Sequence, residues 1–175
     1  MKPESRHIPY LLVALMGIAM SFLSHAADSV AINFTGTIRA AACAVSSGAD
    51  QTVLLGDTST TYFGNPGDVS PAKPFTLVLD CPAGGPAQAT VTFSGIAASA
   101  PDLLALDSGG ASGVAVRINE SNGSQIKLGT PSAVTPLAVG ANTLTYQAQY
   151  QSLVDRAGIT AGVANATAQF TLNYP

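Results

Sequence analysis

Apolar and polar residues alternate with a period of two along most of the chain, the pattern of strands with one face buried. Val30, Ile32, Phe34, Gly36 and Ile38 share one parity. Phe75, Leu77, Leu79 and Cys81 share another, which points Cys81 inward with its apolar neighbours. Val91 and Phe93, then Val114, Val116 and Ile118, then Ile126 and Leu128 mark shorter strands. Leu144, Tyr146, Ala148 and Tyr150 form a long alternating run, and Ala168, Phe170, Leu172 and Tyr174 form the last, with only Pro175 after it.

Breakers separate these runs: Gly64-Asn-Pro-Gly67, Pro82-Ala-Gly-Gly-Pro86, Ser108-Gly-Gly110 and Asn122-Gly123 carry turn chemistry. Asn122-Gly123, set between two alternating segments, predicts a β-hairpin. Pro101 and Asp102 suit the start of a short helical turn over Ala100–Leu106. Many short strands joined by turns predict an all-β sandwich of Greek-key type. The chain contains no tryptophan, so an immunoglobulin core with tryptophan against the disulfide is not met, and any such sandwich is a variant form.

The first 26 residues read as a signal peptide. Lys2, Arg6 and His7 precede an apolar stretch from Tyr10 to Leu23 and the small residues Ser24-His-Ala-Ala27, the order of a secretory leader. Cleavage after Ala26 or after Ala27 fits equally. Removing this segment takes seven basic residues to five and ten acidic ones to nine, for a net charge of −4. An acidic chain with scattered cations lacks the electrostatic footprint for nucleic acid. Both histidines, His7 and His25, leave with the leader. The exported part then has no imidazole, the commonest general base and transition-metal ligand. Cys43 and Cys81 remain, and an even count in an exported chain predicts a disulfide.

Little else suggests chemistry. There is no Gly-x-Ser-x-Gly elbow and no phosphate-cradling glycine loop. Asp102 and Asp107 are read as turn caps rather than an acid–base pair. Four Asn-x-Ser/Thr acceptor patterns begin at Asn33, Asn119, Asn122 and Asn165. Such matches are expected by chance in a chain this rich in Asn, Ser and Thr, and they receive no function. No catalytic residue, cofactor or metal site is predicted.

Several stretches together resemble the chaperone–usher pilin family, the type 1 fimbrial major subunit above all. They are Phe34-Thr-Gly-Thr-Ile38 leading to Ala41-Ala-Cys-Ala-Val45, Gln51-Thr-Val-Leu-Leu-Gly56 where the family has its next strand, Phe75 to Cys81, the hairpin Gly113–Gly129, Tyr146-Gln-Ala-Gln-Tyr150, and Ala161–Phe170. Gly162 stands fourteenth from the C-terminus and Tyr174 is penultimate, matching the family's terminal signature.

The resemblance implies an incomplete immunoglobulin-like Greek-key sandwich that lacks its last strand and carries a free N-terminal donor strand. On that reading residues 1–26 are the leader, 27–38 the donor-strand extension and 39–175 the pilin domain. The donor residues would be Val30, Ile32, Phe34, Gly36 and Ile38. Gly162, Ala168, Phe170, Leu172 and Tyr174 would form the strand that a periplasmic chaperone grips and that borders the acceptor groove. The implied function is a structural subunit of an adhesive fimbria, exported through the periplasm to the cell surface. Its implied partners are a pilus chaperone, an outer-membrane usher and identical or related subunits joined head to tail. The alternatives are a minor adaptor pilin, or a self-complete secreted sandwich that binds carbohydrate.

Overall fold

The computed structural model describes residues 33, 35, 42–46 and 50–175. The chain divides into the units Met1–Thr37 and Ile38–Pro175, and the architecture that follows belongs to the second. Among the described residues, eight strands form two antiparallel sheets. The strands are β1 (Ala44–Val45), β2 (Lys73–Cys81), β3 (Gln88–Gly95), β4 (Val114–Glu120), β5 (Gln125–Ile126), β6 (Thr135–Pro136), β7 (Gly140–Ser152) and β8 (Ala168–Asn173). The larger sheet runs β1-β2-β7-β4-β5 and the smaller β6-β3-β8. Two 3-10 turns, Thr60–Tyr62 and Arg156–Gly158, interrupt the connections.

Strand parity follows the alternation. Phe75 lies opposite Tyr146, Leu77 opposite Leu144 and Cys81 opposite Gly140. Leu77, Leu79, Cys81, Leu144 and Tyr146 are buried, whereas Thr143 and Thr145, on either side of Leu144, are exposed. A one-residue slip would turn this apolar set to solvent, so the register is strongly specified. β7 pairs on its other side with β4, setting Val116 against Tyr150 and Ile118 against Ala148. Phe75, Phe93 and Tyr146 cluster between the sheets with ring centroids 5.2–6.0 Å apart, within the range of favourable aromatic pairs.

The Asn122-Gly123 hairpin is present. It joins β4 to β5, with Gly123 at φ +87°, a conformation glycine adopts without steric cost. The Asn122 side chain accepts a 2.9 Å hydrogen bond from the Ser124 amide. The helical turn expected over Ala100–Leu106 is not formed. Pro101 and Asp102 instead sit in a turn closed by the Leu103 amide on the Ala100 carbonyl at 3.0 Å. Leu104 then bridges to Val116. Burial of Leu103 and Leu104 together, at 2% and 3% exposure, outweighs the local preference for a helical start.

Gln51–Gly56 also departs from expectation: it joins no ladder. Residues 50–58 exchange no backbone hydrogen bond with any described residue. Their side chains nevertheless alternate, with Val53 and Leu55 half-buried and Leu54 turned outward. The expected Cys43–Cys81 disulfide is formed, with Cα atoms 4.2 Å apart, and links the approach to β1 to the end of β2. Among the described residues no helix is long and apolar enough to cross a membrane.

Candidate functional site

β8 pairs only with β3, in the register Val91 to Leu172 and Phe93 to Phe170. Its other edge faces no strand among the described residues. Residues 51–58 present a second such edge, and between the two lies a groove of about 1710 Å³. That exceeds the roughly 300–1,000 Å³ usual for small-molecule pockets. One wall is Gln51–Thr58. The other runs from Ile159 to Leu172. The floor is apolar and includes Phe75, Leu77, Val116, Ile118 and Tyr150. Val53, Leu55, Ile159, Ala164 and Ala166 pack from the two walls onto a cluster of Phe63, Leu104, Val114, Val116, Ala148 and Tyr150.

The second wall is held by close backbone approach. The amide of Ala111 donates to the carbonyl of Val163 at 2.7 Å, and the amide of Asp107 to that of Asn165 at 2.8 Å. Gly162 makes this approach feasible. A Cβ there would lie 2.9 Å from the Ala111 nitrogen and 3.0 Å from the Gly110 carbonyl carbon, both backbone atoms. The signature glycine is therefore required by packing. Tyr150 reaches from the floor to donate its hydroxyl to the Ala164 carbonyl at 2.8 Å. Burial pushes the Tyr150 phenol pKa up, so it remains a protonated donor at neutral pH.

The structure thus brings Gly162, Ala168, Phe170 and Leu172 together along one wall. Tyr174 lies beyond the groove lining. It packs against the main core, with its hydroxyl 3.4 Å from the Cys43 carbonyl. The five donor-strand residues, Val30, Ile32, Phe34, Gly36 and Ile38, lie outside the described residues. Sequence reasoning named no residues of the floor or of the opposing wall as site residues, although the alternation of Val53 with Leu55 carries that signal.

Asp102 pairs with Lys127 at 2.8 Å on the surface. Among the described residues no three His, Cys, Asp or Glu side chains are grouped to hold a metal ion. Asn119, one of the acceptor-pattern asparagines, is 2% exposed and accepts a 2.7 Å hydrogen bond from the Arg117 side chain.

A two-sheet antiparallel sandwich with an apolar groove between β8 and residues 51–58, two edges without a ladder partner on that side among the described residues, defines the class: an all-β pilin-type domain. The chain belongs to the fimbrial protein family, whose sequence model matches residues 32–175. Among its relatives, the type 1 fimbrial subunit of Salmonella typhimurium is 41% identical over 152 residues, covering 82% of this chain and 81% of that one. The type 1 fimbrial protein A chain of Escherichia coli is 35% identical, covering 93% and 96%. Among solved structures, an antigen and type I fimbria protein of Burkholderia pseudomallei aligns with a TM-score of 0.60 at 34% identity, covering 82% and 96%. The P pilus rod subunit PapA aligns with a TM-score of 0.63 at 26% identity, covering 76% and 99%. The family is one of structural fimbrial subunits, not of enzymes.

Proposed function

We propose that the chain is a structural, rod-forming subunit of an adhesive fimbria that polymerises by donor-strand exchange. Residues 27–38 of one copy enter the groove of the next, and Val30, Ile32, Phe34 and Ile38 fill it. A strand so placed would lie between β8 and residues 51–58, whose facing main-chain groups have no strand partner among the described residues and can supply hydrogen bonds whatever the side chains. The apolar floor rewards alternating donors at about 1.5–3 kcal/mol for each fully buried side chain. The observation that carries this reading is the groove itself, bordered by residues 51–58 on one side and by β8 and its approach on the other.

An exposed edge beside apolar surface invites aggregation. Delivery by a periplasmic chaperone that covers β8, followed by transfer at an outer-membrane usher, would protect it until a donor arrives. On this reading donor and acceptor are different segments of each copy, residues 27–38 and the groove. Their contact is therefore heterologous, and repeated without closing it builds a filament, here one displayed at the cell surface. Relatives named as a pilus rod subunit and a probable major fimbrial subunit accord with a single domain serving this role.

The test is deletion of residues 28–37 in cells that assemble the fibre. The truncated chain is expected to fold and reach the periplasm but to donate to no neighbour, so ladders of linked subunits should disappear. Wild-type ladders from the deletion would refute the reading.

A further inference from the structure

Residues 50–58 form a wall of the groove without a ladder of their own; Val53 and Leu55 seat it on the core, and its ends supply the rest of its placement. At one end stand β1 and the disulfide. At the other, the chain enters the turn Thr60–Tyr62, and one side chain from beyond the opposite wall grips it. Arg156 donates Nε to the carbonyls of Thr60 at 3.2 Å and Phe63 at 3.1 Å, and Nη2 to that of Thr61 at 3.0 Å. A cation suits these carbonyls, which carry the partial negative charge of the end of the turn. The forked guanidinium can address several of them at once. Arg156 itself opens the second turn, Arg156–Gly158, which runs directly into the wall that begins at Ile159.

We infer that Arg156 is a clasp across this end of the groove, fixing the separation of the two walls, and that the lifetime of an inserted strand depends on it. The inference rests on the strand-accepting role proposed above. Neighbouring strands stand about 4.8 Å apart, so a strand bonded on both sides needs its two flanking edges held at roughly twice that distance. A shift of about 1 Å carries hydrogen bonds out of range. Arg156 is not among the groove-lining residues, so it acts through the walls and is a positioning residue. The loop beyond the turn is pinned to β7 separately, through the Gly67 amide on the Ser152 carbonyl and the Ser152 amide on the Asp68 carbonyl, each at 2.9 Å. Loss of Arg156 therefore loosens Thr60 and Thr61, while Phe63 stays buried in the core and the connection beyond it stays pinned.

The experiment loads the chain 27–175 with a fluorescent peptide of residues 27–38 and follows its release into excess unlabelled peptide. Release from Arg156→Ala is expected to be about tenfold faster than from the wild type. Arg156→Lys, which keeps the charge but not the fork, should fall between them. Lys127→Ala, which removes a cation paired elsewhere on the surface, should match the wild type. A residue that merely stabilised the domain would lower the melting midpoint of the peptide-free chain and leave the release rate unchanged. Tight binding to the wild type with unaltered release from Arg156→Ala overturns the clasp alone. Failure of the peptide to bind the wild type overturns the strand-accepting role and the clasp with it. If Arg156→Ala does not fold, Arg156→Lys carries the test, and release equal to wild type overturns the clasp.

Discussion

The Tyr150 hydroxyl donates to the Ala164 carbonyl at 2.8 Å, tying the floor of the groove to the wall that leads into β8. Tyr150 is 8% exposed and sits on β7, the strand paired with both β2 and β4. The tie therefore adds a side-chain anchor from the best-braced strand of the larger sheet to a segment that the Ala111 and Asp107 amides already hold through its backbone. Replacing Tyr150 with Phe keeps the ring and deletes the bond. The expected loss is about 1 kcal/mol, read as a lower urea midpoint with an unchanged denaturant slope.

Gly162→Ala should cost more. The added methyl would meet the backbone at Ala111 and Gly110, and neither can move aside as a flexible side-chain end could. The strain is expected to destabilise the domain by about 1–3 kcal/mol. Amide hydrogen exchange at Ala111, bonded to Val163 at 2.7 Å, should accelerate first.

Cys43 and Cys81 are separated by 38 positions in sequence. Removing the crosslink by Cys43→Ser with Cys81→Ser returns conformational freedom to the unfolded chain, worth about 3–4 kcal/mol in the chain-entropy model. Thermal melting should show a large fall in midpoint, and reductant should shift the wild type in the same direction.

Acid should loosen the connection that carries the Arg156 contacts. Backbone amides of Asn65 and Gly64 donate to Asp68 at 2.8 and 2.7 Å and, with the nearby charge of Arg156, hold its carboxyl pKa below the ordinary value. A depressed carboxyl favours the folded state fully above its unfolded pKa, and that contribution is lost as pH falls through the folded one. Unfolding midpoints measured downward from about pH 5 should decline more steeply for the wild type than for Asp68→Asn.

Strand faces were legible wherever alternation was long. The runs Phe75–Cys81 and Leu144–Tyr150 disclosed both their inward parity and the place of Cys81, because period-2 burial leaves a local trace. The Asn122-Gly123 hairpin was legible because its turn needs particular residues. Gln51–Gly56 has the right alternation but no ladder partner among the described residues, since pairing depends on what lies alongside and not on the segment itself. The two-residue β6 is too short to show a period. Arg156 stayed hidden for a different reason: its partners Thr60, Thr61 and Phe63 lie 93–96 residues away, and an isolated arginine carries no mark of the carbonyls it will meet. Gly162 showed itself only through resemblance to a family, whereas its physical reason, contact with Gly110 and Ala111, needs three dimensions.

The most direct measurement is the melting temperature of the purified chain 27–175, alone and with a synthetic peptide of residues 27–38. A groove built to receive that segment should give a large, saturable rise in midpoint, and a peptide carrying Phe34→Asp should give none, because an unpaired charge would be buried. A chain that melts high by itself, remains monomeric and ignores the peptide would contradict the account.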